Sequence, residues 1–277
     1  MTSKELFKRQ PIQIRKGIPV FVEKRQEENQ ADRYERYWEV VVRQLLLHYG
    51  DDLGLENGFL PMYEFVFRHL GKELEGRILE VGGGVGRLAG ELAMRFPYSR
   101  VYLLDYSYNM LRSAQDLWLN SKDIDLDGRH LGWPKTILSG RQIPNLWLGQ
   151  ARGEDLPFFQ ETMDVVLSTF FIDRAANLEE AIREQVRVLR TGGKLIIVSP
   201  LNFQRRAQWE KYGDPEKLTA FFLGFGLRLI KFEPEIICRE QLDARGNTIV
   251  WRAVGWYFAK VNVPTISIHG AIGPPTL

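Results

Sequence analysis

Residues 78–90 read ILEVGGGVGRLAG, in which a short apolar run leads into a cluster of glycines. An apolar run of this length is typical of a buried strand, and a helical pattern follows at 87–95. Glycines in the turn between them let backbone N–H groups and the positive end of the helix approach a ligand closely. The stretch therefore predicts a strand, a nucleotide- or cofactor-binding loop and a helix.

A second strand and an acidic residue follow at the spacing expected of a ribose-binding fold. Residues 101–105 read VYLLD, which is a further buried-strand pattern. Asp105 stands about 20 residues after Gly86, where a carboxylate can accept hydrogen bonds from ribose hydroxyls. The sequence therefore predicts an adenosine-type ligand.

The glycines do not by themselves identify the cofactor. In the frame Gly84, Gly86 and Ala89 they also fit the dinucleotide pattern, so NAD stays open at this point. The sequence has no Tyr-x-x-x-Lys pair of the short-chain dehydrogenase kind, since Glu216 stands at that spacing after Tyr212. Hydride transfer is therefore disfavoured.

Strand and helix patterns alternate along the rest of the chain. Further strands are predicted at 145–148, 163–167 and 194–199, and helices at 108–119 and 178–189. Strands that alternate with helices form βαβ units and a parallel sheet covered on both faces. Two last strands, at 227–233 and 249–260, are predicted to be antiparallel. We therefore expect an α/β fold: a Rossmann-like, doubly wound, mostly parallel sheet with an antiparallel C-terminal strand and N-terminal helices.

The same patterns divide the chain into regions. Residues 1–30 have few periodic apolar positions and predict an irregular arm, whereas 31–74 show helical spacing and predict a helical cap. The main domain is expected at 75–262, with an inserted polar loop at 120–145, before a C-terminal tail at 263–277. Loops as long as the insert are typically functional lids or mobile excursions.

Composition and charge exclude several classes of protein. The 277 residues are 44% hydrophobic and 26% charged, as in an ordinary globular protein and unlike disordered, collagenous or membrane-spanning chains. The formal net charge of +2 is too small to predict binding to nucleic acid or to a membrane. The single cysteine, Cys238, cannot form an internal disulfide, and the N-terminus has no apolar signal-peptide stretch. We therefore expect a cytoplasmic protein.

One acidic segment begins like a calcium-binding loop. Asp123, Asp125 and Asp127 alternate before Gly128, but Pro134 stands where the bidentate glutamate is needed. We therefore expect no metal site and interpret the segment as a solvated acidic turn.

The ordered motifs resemble those of class I S-adenosylmethionine (SAM)-dependent methyltransferases. Residues 80–86 are similar to the E/D-x-G-x-G-x-G motif of these enzymes, and Asp105 is similar to their ribose-binding acid. GEDLPF at 153–158 resembles the loop beside the adenine. MDVVL at 163–167 resembles the fourth strand, and VLRTGGK at 188–194 resembles the turn before the fifth.

This resemblance implies SAM as the cofactor and assigns roles to individual residues. Glu80 would contact the methionine amino group, Asp105 the ribose and Asp155 the exocyclic nitrogen of adenine. The cofactor-binding residues that the resemblance implies are Glu80, Gly82, Gly84, Gly86, Arg87, Asp105, Tyr106, Glu154, Asp155 and Ser168.

Shorter stretches resemble one branch of these enzymes, the carnosine N-methyltransferase-like family. They are VRQL at 42–45, LPMYE at 60–64, GRLA at 86–89, STFFID at 168–173 and SPL at 199–201. The histidine that follows the last motif in this branch is absent here. This resemblance implies methyl transfer to a nitrogen of a small amine or imidazole-containing compound, such as a histidine derivative or peptide.

Asp173 is the predicted catalytic residue. It follows an apolar strand at the expected mouth of the sheet, where a carboxylate can hold one N–H of an imidazole ring and stabilise the charge that develops on it. Alternatively, it caps the helix predicted to begin near 175–178. Some aromatic side chains could wall a pocket for a cation or a flat ring, although an aromatic stripe at helical spacing more often packs in the core. The predicted substrate-binding residues are Tyr37, Phe170, Asp173, Asn202, Trp251 and Tyr257.

Two other functions stay open. A SAM-dependent O- or C-methyltransferase of a small aromatic or specialised metabolite would use the same donor site, and an oxygen acceptor needs a general base. The four histidines lie in no paired motif, and among them only His130, on the inserted loop, is a candidate worth testing. The second alternative is a non-catalytic SAM-binding module. We expect a small-molecule methyl acceptor as partner, and the arm at 1–30 could close over its own site or exchange with a neighbour in a homodimer.

Overall fold

The structure is a computed structural model that describes residues 6–24 and 26–262, so the expected tail at 263–277 lies outside the described residues. The described strands are β1 (Gln13–Arg15), β2 (Ile18–Val20), β3 (Arg77–Val81), β4 (Arg100–Asp105), β5 (Ile124–Asp127), β6 (Lys135–Leu138), β7 (Leu146–Gln150), β8 (Met163–Thr169), β9 (Leu189–Ser199), β10 (Leu227–Gln241) and β11 (Thr248–Lys260). The described α-helices are α1 (Gln26–Ala31), α2 (Arg33–Arg36), α3 (Trp38–His48), α4 (Leu60–Leu70), α5 (Arg87–Arg95), α6 (Tyr108–Trp118), α7 (Leu178–Val188), α8 (Arg206–Tyr212) and α9 (Pro215–Leu223).

A central sheet organises the described residues. Its strands lie in the order β1-β2-β7-β4-β3-β8-β9-β11-β10. Strands β7, β4, β3, β8 and β9 are parallel, whereas β11 is antiparallel to both β9 and β10. This confirms the predicted Rossmann-like sheet. The chain moves outward from β3 to β4 and β7 and then returns to β8 on the other side of β3, and ligands of such sheets bind outside the carboxyl ends of the strands at this reversal.

Two apolar cores cover the two faces of the sheet. Successive residues of a strand point to opposite faces, and in β3 Ile78 packs into the core that contains α3 to α6, whereas Leu79 packs into the core that contains α7 to α9. In β9, Ile196 and Ile197 divide between the two cores in the same way. Burial on both faces explains why these strands appear in the sequence as continuous apolar runs.

The N-terminal segment is more regular than predicted. Strands β1 and β2 form a hairpin with a turn at Lys16 and Gly17, both of which have positive φ, and β2 lies parallel to the edge of β7 through Val20 and Gln150. The segment for which the sequence predicted an irregular arm therefore contains a short hairpin. The three residues of β1 are exposed, and three residues are too few for an alternating pattern to predict a strand.

The insert at 120–145 contains a second hairpin, β5 and β6, instead of a structureless loop. Leu126 and Leu138 are buried in the same core as α3. Asp127 pairs with Arg129, and no cluster of three metal-binding side chains occurs among the described residues. Because its apolar face packs against the body of the protein, the hairpin does not have the form of a free lid.

None of the described helices is long and apolar enough to span a membrane. The division into arm, cap, main domain and tail stays a prediction, as do the cytoplasmic location and the homodimer.

Candidate functional site

A cavity of about 630 Å³ opens where β3, β4 and β8 end, between the sheet and the N-terminal helices. Nine of the predicted site residues line it: Glu80, Gly82, Gly84, Arg87, Asp105, Tyr106, Glu154, Phe170 and Trp251. The others do not: Gly86, Asp155, Ser168, Tyr37, Asp173, Asn202 and Tyr257.

The glycine loop is shaped by backbone conformations that side chains rarely adopt. Gly82 and Gly84 have φ of +75° and +55°. A Cβ on Gly82 would lie 2.6 Å from the Phe171 ring, whereas a Cβ on Gly84 would have no neighbour nearer than 3.8 Å. Gly82 is therefore required for packing, and Gly84 leaves open space on the cavity side of the loop.

Gly86 serves helix packing and does not contact the cavity. Its φ is +77°, and a Cβ there would lie 2.8 Å from Cβ of Ala114 in α6. The absence of a side chain lets α5 approach α6 closely. Its predicted cofactor contact is therefore corrected to a packing role.

Asp105 joins the end of β4 to the glycine loop. The Ser107 N–H donates to Oδ1 at 2.7 Å, and the Gly84 N–H donates to Oδ2 at 2.8 Å. Burial raises the pKa of Asp105, although these two hydrogen bonds oppose that shift. Each carboxylate oxygen has a second lone pair, so the residue can still accept hydrogen bonds from ligand hydroxyls.

Glu80 is a buried acid with an unsatisfied oxygen. It is 2% exposed, and its Oε2 has no hydrogen-bond partner among the described residues. Burial raises its pKa to about 8, although hydrogen bonds from the Ala89 backbone and the Thr169 side chain act to lower it. An unpartnered buried carboxylate oxygen beside a cavity calls for a cation or a hydrogen-bond donor. This atom therefore fits the ammonium group of an amino-acid ligand, which is the role that the resemblance implied for Glu80.

Arg87 lines the cavity, but other acids already neutralise its charge. Its guanidinium pairs with Asp51 at 2.9 Å, Asp52 at 3.1 Å and Glu91 at 3.0 Å. These pairs fix the turn before α4 onto α5. The geometry thus gives Arg87 a structural role, and its predicted cofactor contact stays a prediction.

Asp155 is held outside the cavity by the N-terminal segment. Lys8 pairs with it at 3.1 Å and Arg9 also bonds to it. Although burial opposes it, these hydrogen bonds lower the pKa of Asp155. Asp155, which was expected to contact the adenine, therefore forms ion pairs with two residues that precede it by almost 150 positions in the sequence.

Tyr106 lies at the end of the cavity that the N-terminal segment covers. The Lys24 ammonium lies 3.9 Å from its ring centroid and the Arg152 guanidinium 4.8 Å away. Arg152 in turn pairs with Glu28 of α1 at 2.7 Å. Cation–π contacts and this ion pair thus fasten the N-terminal segment over one end of the cavity.

Glu154 is hydrogen-bonded to the backbone before α7, and Ser168 is buried inside β8. Glu154 lines the cavity, and its Oε1 accepts the backbone N–H groups of Ala176 at 2.7 Å and Asn177 at 3.3 Å. Ser168 is fully buried in β8, and its Oγ has no partner among the described residues. Neither residue offers the geometry of a direct cofactor contact.

Asp173 lies behind the cavity wall. It is 3% exposed, and its carboxylate accepts the Ser199 hydroxyl at 3.2 Å and the Asn202 N–H at 3.1 Å. Burial raises its pKa. It does not cap α7, since Asn177 accepts the Glu180 N–H there. The carboxylate thus joins the loop after β8 to the loop after β9 and does not face an acceptor in the cavity.

Aromatic side chains form one wall of the cavity. Phe170 meets Phe59 edge-on at 5.3 Å and Trp251 edge-on at 6.4 Å. Phe170 also has a φ of +53°, a strained conformation for a residue with a side chain. Two predicted substrate residues lie elsewhere, because Tyr37 is exposed and Tyr257 packs against His69 at 5.3 Å.

Several lining residues were not among the predicted site residues. They include Tyr34, His48, Phe59, Met62, Tyr63, Arg174 and Glu240. His48 of α3 and Tyr63 of α4 form a side-chain pair, with 2.7 Å between Nδ1 and the hydroxyl oxygen. His130, the histidine singled out from the sequence, is exposed and does not line the cavity. The pair of His48 and Tyr63 could not be predicted from the sequence, because the two residues lie on different helices and belong to no shared motif.

Comparisons with known proteins address the cofactor and the activity. Residues 79–197 match the protein family described as "Methyltransferase domain". The chain is 32% identical over 123 residues to the ubiquinone/menaquinone biosynthesis C-methyltransferase UbiE of Syntrophotalea carbinolica, covering 44% of this chain and 43% of the relative. It is 33% identical over 128 residues to the malonyl-[acyl-carrier protein] O-methyltransferase of Methylococcus capsulatus, covering 46% and 38%. The chain thus spans less than half the length of the curated relatives it matches.

A solved structure shares the fold. A SAM-dependent methyltransferase from Aquifex aeolicus aligns with a TM-score of 0.50 and 16% identity, over 80% of this chain and 98% of that one. The matches do not single out the carnosine N-methyltransferase-like branch. Together, the comparisons show a methyltransferase domain match over residues 79–197 and a fold shared with a SAM-dependent methyltransferase.

Proposed function

We propose that the chain transfers the methyl group of SAM to an oxygen or carbon atom of a small acceptor molecule. One observation carries this proposal: a single cavity connects the buried acid Glu80 and the half-buried acid Asp105 with the aromatic wall of Phe59, Phe170 and Trp251. The acids suit the donor, and the wall suits a flat or apolar acceptor. The relatives reported above are named as C- and O-methyltransferases, which supports an oxygen or carbon acceptor.

The donor half of the cavity has the chemistry that SAM requires. The unpartnered Oε2 of Glu80 fits the ammonium of the methionine moiety, and the free lone pairs of Asp105 fit the ribose hydroxyls. When bound, SAM supplies an electrophilic methyl group on a sulfonium. Methyl transfer is an in-line displacement, so these residues act by orienting the donor while the walls of the cavity exclude water.

Transfer to nitrogen, the activity predicted from the sequence, has less support. It relied on Asp173 to hold an imidazole ring, and that carboxylate is bonded to Ser199 and Asn202 outside the cavity lining. The non-catalytic alternative also has less support, since a donor-binding module does not need an acceptor wall beside the donor acids.

The test starts with donor binding. Calorimetry with SAM, S-adenosylhomocysteine and NAD should give saturable binding of the first two, and Asp105→Ala should abolish it. Ligand at about 100 times its Kd stabilises a fold by roughly 2.7 kcal/mol, so thermal unfolding gives an independent readout. Binding of NAD alone would contradict the proposal.

The second step separates the acceptor classes. The wild-type protein is incubated with SAM and separate panels of phenols, enols and carboxylic acids, and of imidazoles and amines, and products are identified by mass spectrometry. Methylation in the first panel supports the proposal. Methylation confined to the second would restore the N-methyltransferase prediction, and SAM binding without any product would favour the non-catalytic module.

A further inference from the structure

Two polar side chains of the N-terminal helices meet on the wall of the cavity. His48 is the last residue of α3, Tyr63 lies in the first half of α4, and their Nδ1 and hydroxyl oxygen are 2.7 Å apart. Both line the same cavity as Glu80 and the aromatic wall. The donor site described above uses neither of them.

The position of the pair is fixed by packing. Leu45 and Leu46 of α3 and Phe65 and Val66 of α4 are buried in one apolar core, so neither helix end is free to move independently. The His48 ring also packs against Phe59, with 4.8 Å between centroids. Groups held this firmly on helices are suited to positioning or proton transfer.

The electrostatic surroundings keep both groups neutral near pH 7. Burial and the charge of Arg87 lower the pKa of His48 to about 4, and burial raises the pKa of Tyr63 well above 10. The Arg87 guanidinium lies on the His48 side and donates to the His48 carbonyl at 3.4 Å. The titratable groups that act on Tyr63 from the surrounding elements are Glu80, Arg87, Tyr49 and Asp51.

We propose that Tyr63 and His48 relay a proton from the methyl acceptor, and that the acceptor therefore presents an O–H group, as in a phenol, an enol or an alcohol. The inference rests on the proposed function and names the acceptor class. The Tyr63 oxygen contacts the acceptor hydroxyl, and His48 accepts the Tyr63 proton on Nδ1 while its Nε2 carries the ring proton.

The step balances in atoms and charge. The acceptor oxygen forms a bond to the methyl carbon, and the carbon–sulfur bond breaks with its electron pair left on sulfur. The acceptor proton moves to the Tyr63 oxygen as the Tyr63 proton moves to His48. The positive charge of the sulfonium thus ends on the imidazolium, which returns its proton to water through Tyr63 once the product leaves.

A weakly basic imidazole is sufficient for this step. The acceptor O–H becomes strongly acidic as its oxygen bonds to the methyl carbon, so the proton is transferred to a much better base than the alkylated oxygen. A low imidazole pKa also keeps His48 unprotonated, and thus able to accept, across the neutral range. Positioned acid–base groups contribute roughly 10²- to 10⁴-fold to rate, which is the loss that we expect when the relay is broken.

The experiment uses the variants Tyr63→Phe and His48→Gln with a series of phenols of decreasing pKa. His69→Gln is the matched control, because His69 is a histidine of α4 that lies against Tyr257 and does not line the cavity. We expect kcat with an ordinary phenol to fall roughly 10²- to 10⁴-fold in both variants, with SAM affinity and melting temperature close to those of His69→Gln. With dinitrophenols, which are already ionised at neutral pH, the loss should disappear.

The pH dependence gives a second readout that a purely structural role would not change. With an ordinary phenol, wild-type kcat should be flat across the neutral range, whereas kcat of the variants should rise about tenfold per pH unit as the phenol itself ionises. Equal losses with ordinary and ionised phenols, or no loss, would overturn the relay while leaving the methyltransferase function intact. Absence of product from every O–H acceptor in the wild type would also overturn the relay, and the proposed function would fall with it only if carbon acceptors gave no product and SAM did not bind.

Discussion

Buried Glu80 predicts that the affinity for SAM increases with pH below neutrality. Its pKa is raised to about 8, so in the free protein at lower pH the side chain is protonated and neutral. The ammonium of the ligand is stabilised by the carboxylate, not by the neutral acid, so binding must release the Glu80 proton. Affinity therefore falls as pH falls, because each unit below the pKa makes that release tenfold less favourable.

The size of the effect follows from the protonated fraction. With a pKa of about 8, the carboxylate fraction changes roughly 30-fold between about pH 5.5 and pH 7, which corresponds to about 2 kcal/mol of binding free energy. This pH range lies below the pKa of an α-amino group, which is about 8, so the ammonium group of the ligand stays mostly protonated throughout. His48, with a pKa of about 4, contributes little here.

Isothermal titration calorimetry measures both the affinity and the proton. We expect the Kd for S-adenosylhomocysteine to fall roughly 30-fold across this range, and parallel titrations in buffers of different ionisation enthalpy to show release of about one proton at the lower pH. Glu80→Gln should bind more weakly and without pH dependence. A ligand control is 5′-methylthioadenosine, which lacks the ammonium and should bind the wild type with a flat profile.

Two results would refute the reasoning. A flat wild-type profile together with weakened binding by Glu80→Gln would mean that Glu80 is already ionised in the free protein. An equal pH dependence for 5′-methylthioadenosine would mean that the titrating group does not face the ammonium.

The raised pKa of Glu80 also affects the stability of the ligand-free protein. Its stabilising contribution is fully present below about pH 4.5 and is lost by about 1.4 kcal/mol per pH unit as pH rises to about 8. Glu80→Gln should remove this pH dependence from the free energy of unfolding measured in urea, and an unchanged dependence would contradict the prediction. Gly86→Ala should lower the free energy of unfolding by about 2–4 kcal/mol, because of the positive φ and because the new Cβ would lie 2.8 Å from Ala114. Gly54→Ala is the control, since Gly54 has a similar φ but open space around it, and it should lower the free energy of unfolding by only about 1–2 kcal/mol. Equal unfolding free energies for the two variants would exclude the packing contribution. Asp173→Asn should lower the melting temperature with little change in kcat, because the Asp173 carboxylate is hydrogen-bonded to Ser199 and to the loop after β9. A loss of roughly 10²-fold or more in kcat would restore the catalytic role of Asp173.

The fold could be predicted because its signals are local. The helix at 87–95 and the strand after it depend on apolar periodicity and on the glycines between residues 82 and 86, all within one stretch of chain. The hairpin of β1 and β2 escaped prediction because β1 is exposed and β2 is only three residues long, so its pairing with β7 is decided by tertiary contact.

The position of the cavity could be predicted, but the contacts of its residues could not. Glu80 and Asp105 line the cavity as expected, because the ends of adjacent parallel strands must converge. Arg87 and Asp155 differ from expectation because their partners, Asp51 and Lys8, come from parts of the chain that the motifs do not include. A motif specifies which residue is available, but the competing partners of a charged side chain are set by the three-dimensional packing.

The acceptor side illustrates the same limit more strongly. The donor acids lie at strand ends with recognisable spacing, whereas the acceptor wall combines α3, α4, the turn after β8 and β11. His48 and Tyr63 are 15 residues apart on two helices, and the packing of those helices brings Nδ1 within 2.7 Å of the hydroxyl. No one-dimensional pattern records that packing. The acceptor in a fold of this kind must therefore be inferred from the chemistry of the packed helices, and under the relay proposed here the His48–Tyr63 pair beside the aromatic wall favours a hydroxyl over an amine.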